Sequence, residues 1–197
     1  MKLFTRRASI PDAAVWTPPG TTVVQRYRNA LGHKEGAVVL VYTAGERRCS
    51  YFATACLGCT YRAASTARAS RLTEAEAADL ANTHAVGCRA MGHGVPAAPG
   101  DFNAAQIVRD RLRILRPRHL PAAPASPHSV LISNFHVDRV ALQRDDAFIQ
   151  QAMTEIARTE PDFVTTELNF SGTGTQFVIQ PHPAPKPAPR RRTASRH

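Results

Sequence analysis

The sequence predicts an α+β protein, and three observations lead there. Two apolar-rich runs, Ala37–Thr43 and Arg47–Ala55, are joined by the turn Ala44-Gly45, as in a β-hairpin. A helix signal follows at Leu72-Thr73-Glu74-Ala75-Glu76, where Thr73 suits an N-cap and Glu76 completes a capping box. Residues 129–180 then read as a β-α-β-β segment, beyond the four prolines of PRHLPAAPASP.

Residues 1–36 read as an N-terminal extension with one short strand. Residues 37–92 make the hairpin-helix module, and 101–117 an Arg-rich amphipathic helix running from about Asn103 to Arg116. Residues 118–128 read as a linker. In 129–180 the expected elements are a strand at Val130–His136, a helix at Asp145–Arg158, and strands at Phe163–Phe170 and Thr175–Gln180 about the turn Ser171–Gly174. Residues 181–197, PHPAPKPAPRRRTASRH, have almost nothing to bury and are expected to be a disordered basic tail.

The hairpin's second strand ends at Cys56-Leu57-Gly58-Cys59, where Gly58 suits a tight turn that lets two thiolates face one ion. On the following helix His84 and Cys88 are four residues apart and so share a face, which Ala77 and Ala81 extend. Zinc takes four soft or borderline donors in a tetrahedron, and C-x2-C on a turn with H-x3-C on a helix supplies them. The expectation is one structural Zn2+ on Cys56, Cys59, His84 and Cys88. A redox dithiol at Cys56 and Cys59 is the rival reading, but it has no need of two further ligand-type residues on one helical face.

Cys49 falls seven residues before Cys56, on the opposite face of a continuous strand, and reads as a small core residue. His93, between glycines 92 and 94, reads as a loop residue. The segment Ala37–Met91, through YFATACLGC and ANTHAVGC, resembles uncharacterised small C2HC zinc-binding proteins of actinobacterial genomes and mobile elements. That resemblance implies the metal site and no established activity.

A closed Cys3His set leaves no coordination position for water, which points away from hydrolysis. The sequence holds no H-E-x-x-H, Walker loop, G-x-S-x-G or zinc-deaminase signature. A non-enzymatic binding module is therefore expected. The formal charge is +10 and the isoelectric point near 10.3, which favours polyanionic partners. The balance is +9 over residues 1–120, −4 over 121–180 and +5 over 181–197.

Arg109, Arg113 and Arg116 align at i, i+4 and i+7 on the 101–117 helix, opposite an apolar face that includes Ile114, with Arg111 left to snorkel. With Lys186, Arg190, Arg191 and Arg192 of the tail they are the expected contacts to DNA or RNA phosphates. The alternative is a protein-interaction or self-association module working through residues 129–180. No run approaches about 18 apolar residues and no signal-type segment opens the chain, so the protein reads as cytoplasmic.

Overall fold

The computed structural model describes residues 11–44, 51–64, 72–117, 125–168 and 174–183. The fold is α+β, with two antiparallel sheets. In the first, β1 (Thr22–Arg28), β2 (Val38–Ala44), β3 (Tyr51–Cys56) and β4 (Arg62–Ala64) pair in chain order. The short α1 (Gly32–Glu35) joins β1 to β2, and α2 (Glu74–Gly87) follows β4.

The alternating side chains of β2 are buried on both faces. Val39 and Val41 meet Ala77, Ala81 and Ala85 of α2, together with Cys56 and Cys88. Three alanines at i, i+4 and i+8 leave no bulk between helix and sheet, so α2 lies close against the strands. Its start is the expected capping box: Glu76 N–H donates to Thr73 Oγ1 at 3.2 Å, and Thr73 N–H to Glu76 Oε2 at 2.8 Å. On the other face Val38, Leu40 and Tyr42 pack with Ala53, Ala55, Leu57 and Val140.

The second half contains α3 (Asp101–Leu115), β5 (His128–Val130), a 3-10 helix (Ile132–Asp138), α4 (Arg139–Leu142), α5 (Asp146–Thr159), β6 (Val164–Leu168) and β7 (Thr175–Ile179). Its sheet has the order β5-β7-β6. Ala104, Val108 and Leu112 of α3 share one core with Ile149, Met153 and Ile156 of α5 and with Phe163, Phe177 and Ile179. The Arg-rich helix thus packs with the elements beyond the proline-rich stretch, whose residues 118–124 lie outside the described set.

Three expectations are corrected. The strand expected at Val130–His136 stops at Val130 and becomes a 3-10 helix. Asn134 is the reason: its Oδ1 accepts the Leu131 N–H at 2.8 Å and its own N–H donates to the Leu131 carbonyl at 2.9 Å, closing a local turn that competes with the ladder. Ile114 is 73% exposed, because it lies well round the helix from the Ala104, Val108 and Leu112 stripe. Arg111 does not snorkel outward. Its Nε donates to the Asn134 carbonyl at 2.9 Å and lies 3.5 Å from Asp138.

The two halves touch through the 3-10 helix and α4. Val140 belongs to the core on the first sheet, and Tyr42 Oη donates to the His136 carbonyl at 2.9 Å. His136 is buried, with Nε2 3.1 Å from the Ala44 nitrogen and 2.9 Å from its carbonyl oxygen. Asp145 caps α5 by accepting the Phe148 N–H at 3.0 Å. Fully buried Arg139 pairs with Asp146 and donates to the Arg144 carbonyl at 3.1 Å. Among the described residues no helix is long and apolar enough to cross a membrane.

Candidate metal centre

β3 carries Cys56 to the sheet's end, and the chain turns through Leu57-Gly58 to Cys59. Gly58 is required by space: a Cβ there would overlap the Ala37 side chain and come within 2.7 Å of the Met91 carbonyl oxygen. The turn therefore lies flat against the segment that follows α2. That helix ends at Gly87, with Cys88 as its extended C-cap, and the Cys88 N–H closes the last turn onto the His84 carbonyl at 2.9 Å. His84 and Cys88 thus reach one end of the hairpin together.

The ligand atoms of Cys56, Cys59, His84 and Cys88 all lie within 4.8 Å of one another. Cys59 Sγ is 3.4 Å from His84 Nε2. This group could hold a metal ion. Cys56 is buried and Cys59 exposed, so the centre sits at the rim of the module.

The sulfurs are also supplied with N–H donors. Tyr61 N–H points to Cys59 at 3.4 Å, Ala90 N–H to Cys88 at 3.4 Å, and the buried Asn29 side-chain amide to Cys88 at 3.5 Å. The Tyr61 ring stacks on the His84 imidazole, with centroids 3.8 Å apart and planes within 7°. Nothing in local spacing marks Asn29, which is 59 residues from Cys88 in the chain. Its only sequence signal is a polar amide at the end of an otherwise alternating strand.

Burial pushes the Cys56 thiol up to about 12. Burial also acts to raise Cys88, but hydrogen bonds that its sulfur accepts from Ala90, Asn29, Cys56 and Cys59 outweigh it and leave Cys88 below the usual thiol value. Burial lowers His84, which favours the neutral imidazole that a metal needs. A bound cation would reverse the penalty on Cys56 by stabilising its thiolate.

No family model, curated protein or solved structure matches the chain.

The expected nucleic-acid contacts are placed unevenly. Arg109 pairs with Glu160 at 2.8 Å, both about one third exposed. Arg116 donates to the carbonyls of Gln180, Asp162 and Pro181 at 3.1–3.2 Å and lies 5.0 Å above the Phe163 ring. Arg113 is 57% exposed and pairs with the similarly exposed Asp110. Lys186 and Arg190–Arg192 lie outside the described residues, as do Cys49 and residues 171–173 of the Ser171–Gly174 turn. His93 is an exposed loop residue outside the four-residue cluster.

Proposed function

We propose that Cys56, Cys59, His84 and Cys88 hold a structural Zn2+, and that the protein is a non-enzymatic binding module whose partner is nucleic acid. The observation that carries the metal reading is the convergence of three sulfurs and one imidazole nitrogen within 4.8 Å. Zinc bonds of about 2.3 Å to sulfur and about 2.0 Å to nitrogen imply donor separations of about 3.5–3.8 Å in a tetrahedron. Cys59 and His84, at 3.4 Å, are already near that spacing. Four protein donors close the tetrahedron, so the ion staples β3 to α2 and leaves no place to activate water.

Nucleic acid as the partner is supported by the +10 charge and its concentration outside residues 121–180. On α3 the best-placed contact is Arg113, because an exposed pair with Asp110 is worth at most about 1 kcal/mol and is readily exchanged for a phosphate. Arg109 can exchange Glu160 in the same way at somewhat greater cost.

The test has two parts. Elemental analysis of freshly purified protein should give one zinc per chain, retained in Cys49→Ser and lost in Cys59→Ser and Cys88→Ser. Full thermal stability in a strong chelator would refute the metal reading. Titration with mixed oligonucleotides at two salt concentrations should show affinity falling with salt.

A second reading, self-association through residues 129–180, is favoured by Leu168, which is 77% exposed on the edge strand β6. A stable dimer by light scattering, with no oligonucleotide binding at low salt, would select it.

A further inference from the structure

Beside the metal centre lies an open cleft of about 400 Å³. Four basic-type side chains line it, drawn from three parts of the chain: Arg28 at the end of β1, His33 and Lys34 of α1, and His93 of the loop after α2. Asp12 is the one carboxylate among the described residues that line it, and its Oδ1 accepts the Ala14 N–H at 2.9 Å, which leaves Oδ2 for a ligand. Arg28 is held in place by donating to the Gly36 carbonyl at 3.0 Å, whereas His33, Lys34 and His93 are exposed and free to turn toward a ligand.

The backbone between these walls is tightly fastened. Gly92 N–H donates to the Glu35 carbonyl at 2.7 Å, and Gly36 bridges Met91. A Cβ on Gly92 would come within 2.9 Å of the Gly36 oxygen, and Gly94 adopts φ +81. The same loop is anchored at its start by the metal centre, since the Ala90 carbonyl accepts the Asn29 amide at 2.6 Å and the Ala37 N–H at 3.3 Å. Whatever fixes Cys88 therefore also fixes the wall that carries His93.

We propose that this cleft binds a phosphate ester, carried by a nucleotide or by a nucleic-acid strand. The inference rests on the nucleic-acid reading given above and assigns it a place. Lys34 and Arg28 supply charge, and the two imidazoles supply N–H donors to phosphate oxygens. The carboxylate of Asp12 selects against a bare anion and for a ligand with a hydroxyl or amino donor beside its phosphate, as a nucleotide has. The volume lies within the range of about 300–1,000 Å³ usual for small-ligand sites.

The test uses the zinc-loaded full-length chain and ¹⁵N NMR titration with three probes: inorganic phosphate, a nucleoside 5′-monophosphate, and a short single-stranded oligonucleotide. The amides of His33, Lys34, His93 and Gly94 should shift, and the nucleotide should bind more tightly than phosphate. Lys34→Gln combined with His93→Gln should weaken binding by about tenfold with zinc content and thermal midpoint unchanged. Saturation by the mononucleotide with no gain from the strand would identify a free nucleotide as the ligand. Much tighter strand binding, with a salt slope reduced in the double variant, would identify strand phosphate. If the oligonucleotide binds wild type and double variant equally, or shifts only α3 and the tail, the cleft assignment is overturned while the nucleic-acid reading stands. If no probe binds at low salt, both are overturned.

Discussion

The Asn29 side-chain amide lies 3.5 Å from the Cys88 sulfur and 2.6 Å from the Ala90 carbonyl oxygen, so one buried residue beyond β1 orients Cys88, a candidate metal ligand beyond α2. Outer partners of this kind typically change metal affinity by about 10- to 100-fold. Asn29→Ala should therefore bind zinc more weakly by that factor, read by competition with a chromophoric chelator. It should still bind one ion per chain. Unchanged affinity would mean that Asn29 serves only the backbone, at Ala90 and Leu31.

Gly58→Ala should damage the module from the steric side. Its methyl group would overlap the Ala37 side chain, buried in the core beneath α2, and press on the Met91 backbone carbonyl. Overpacking of this kind costs about 1–3 kcal/mol, so the thermal midpoint of the zinc-loaded protein should fall by several degrees. Gly87→Ala is the matched control, because a Cβ there meets nothing within 4 Å. Equal midpoints for the two variants would show that the turn can shift.

Arg113 and Arg116 should separate binding from folding. Arg116→Gln removes donors to three carbonyls and a guanidinium over Phe163, so it should lower the thermal midpoint. Arg113→Gln loses only an exposed pair with Asp110 and should leave stability nearly unchanged. If Arg113 meets phosphate, that variant should reduce the slope of log K against log salt by about 1. An unchanged slope would assign Arg113 to the solvated surface.

His136 should add a pH dependence to stability. Burial, the leading cause, lowers its pKa below the ordinary value of 6.5. Its neutral form is thus favoured by folding, and this contribution is complete above about pH 6.5 and is lost as pH falls toward the folded pKa. Asp138 has the opposite sign: burial raises it above 3.8, so its contribution is lost as pH rises through the folded value. Between about pH 7.5 and about pH 5.5, with zinc content verified at both, His136→Gln should lose less stability than wild type. Equal losses would place the acid sensitivity elsewhere.

The donors, the capping box and the alanine face were legible because each depends on neighbours within about one helical turn. Cys56 and Cys59 share a turn, and His84 and Cys88 share a helix end, so spacing alone pairs them. The hairpin, α5, β6 and β7 were readable from equally local signals: α5 carries an apolar stripe of Ile149, Ala152, Met153 and Ile156, and the strands are short apolar or β-branched runs bounded by turn residues. The turn at Asn134 was missed because an apolar run is compatible with a strand until a side chain offers its backbone another partner.

The sequence by itself determined which residues can ligate a metal and where the longer helices and strands lie, but not the 3-10 helix at Ile132–Asp138 or the short α1, β4 and α4. Tertiary structure decided everything that joins distant parts of the chain. It brought α2 onto β2 and β3 so that two ligand pairs became one cluster, and it set Asn29 against Cys88. It also turned Arg111 and Arg116 inward onto carbonyls and left Arg113 in water. The physical reason is range: helical and strand periods repeat over a few residues, whereas a side chain's partner is fixed by how whole elements pack.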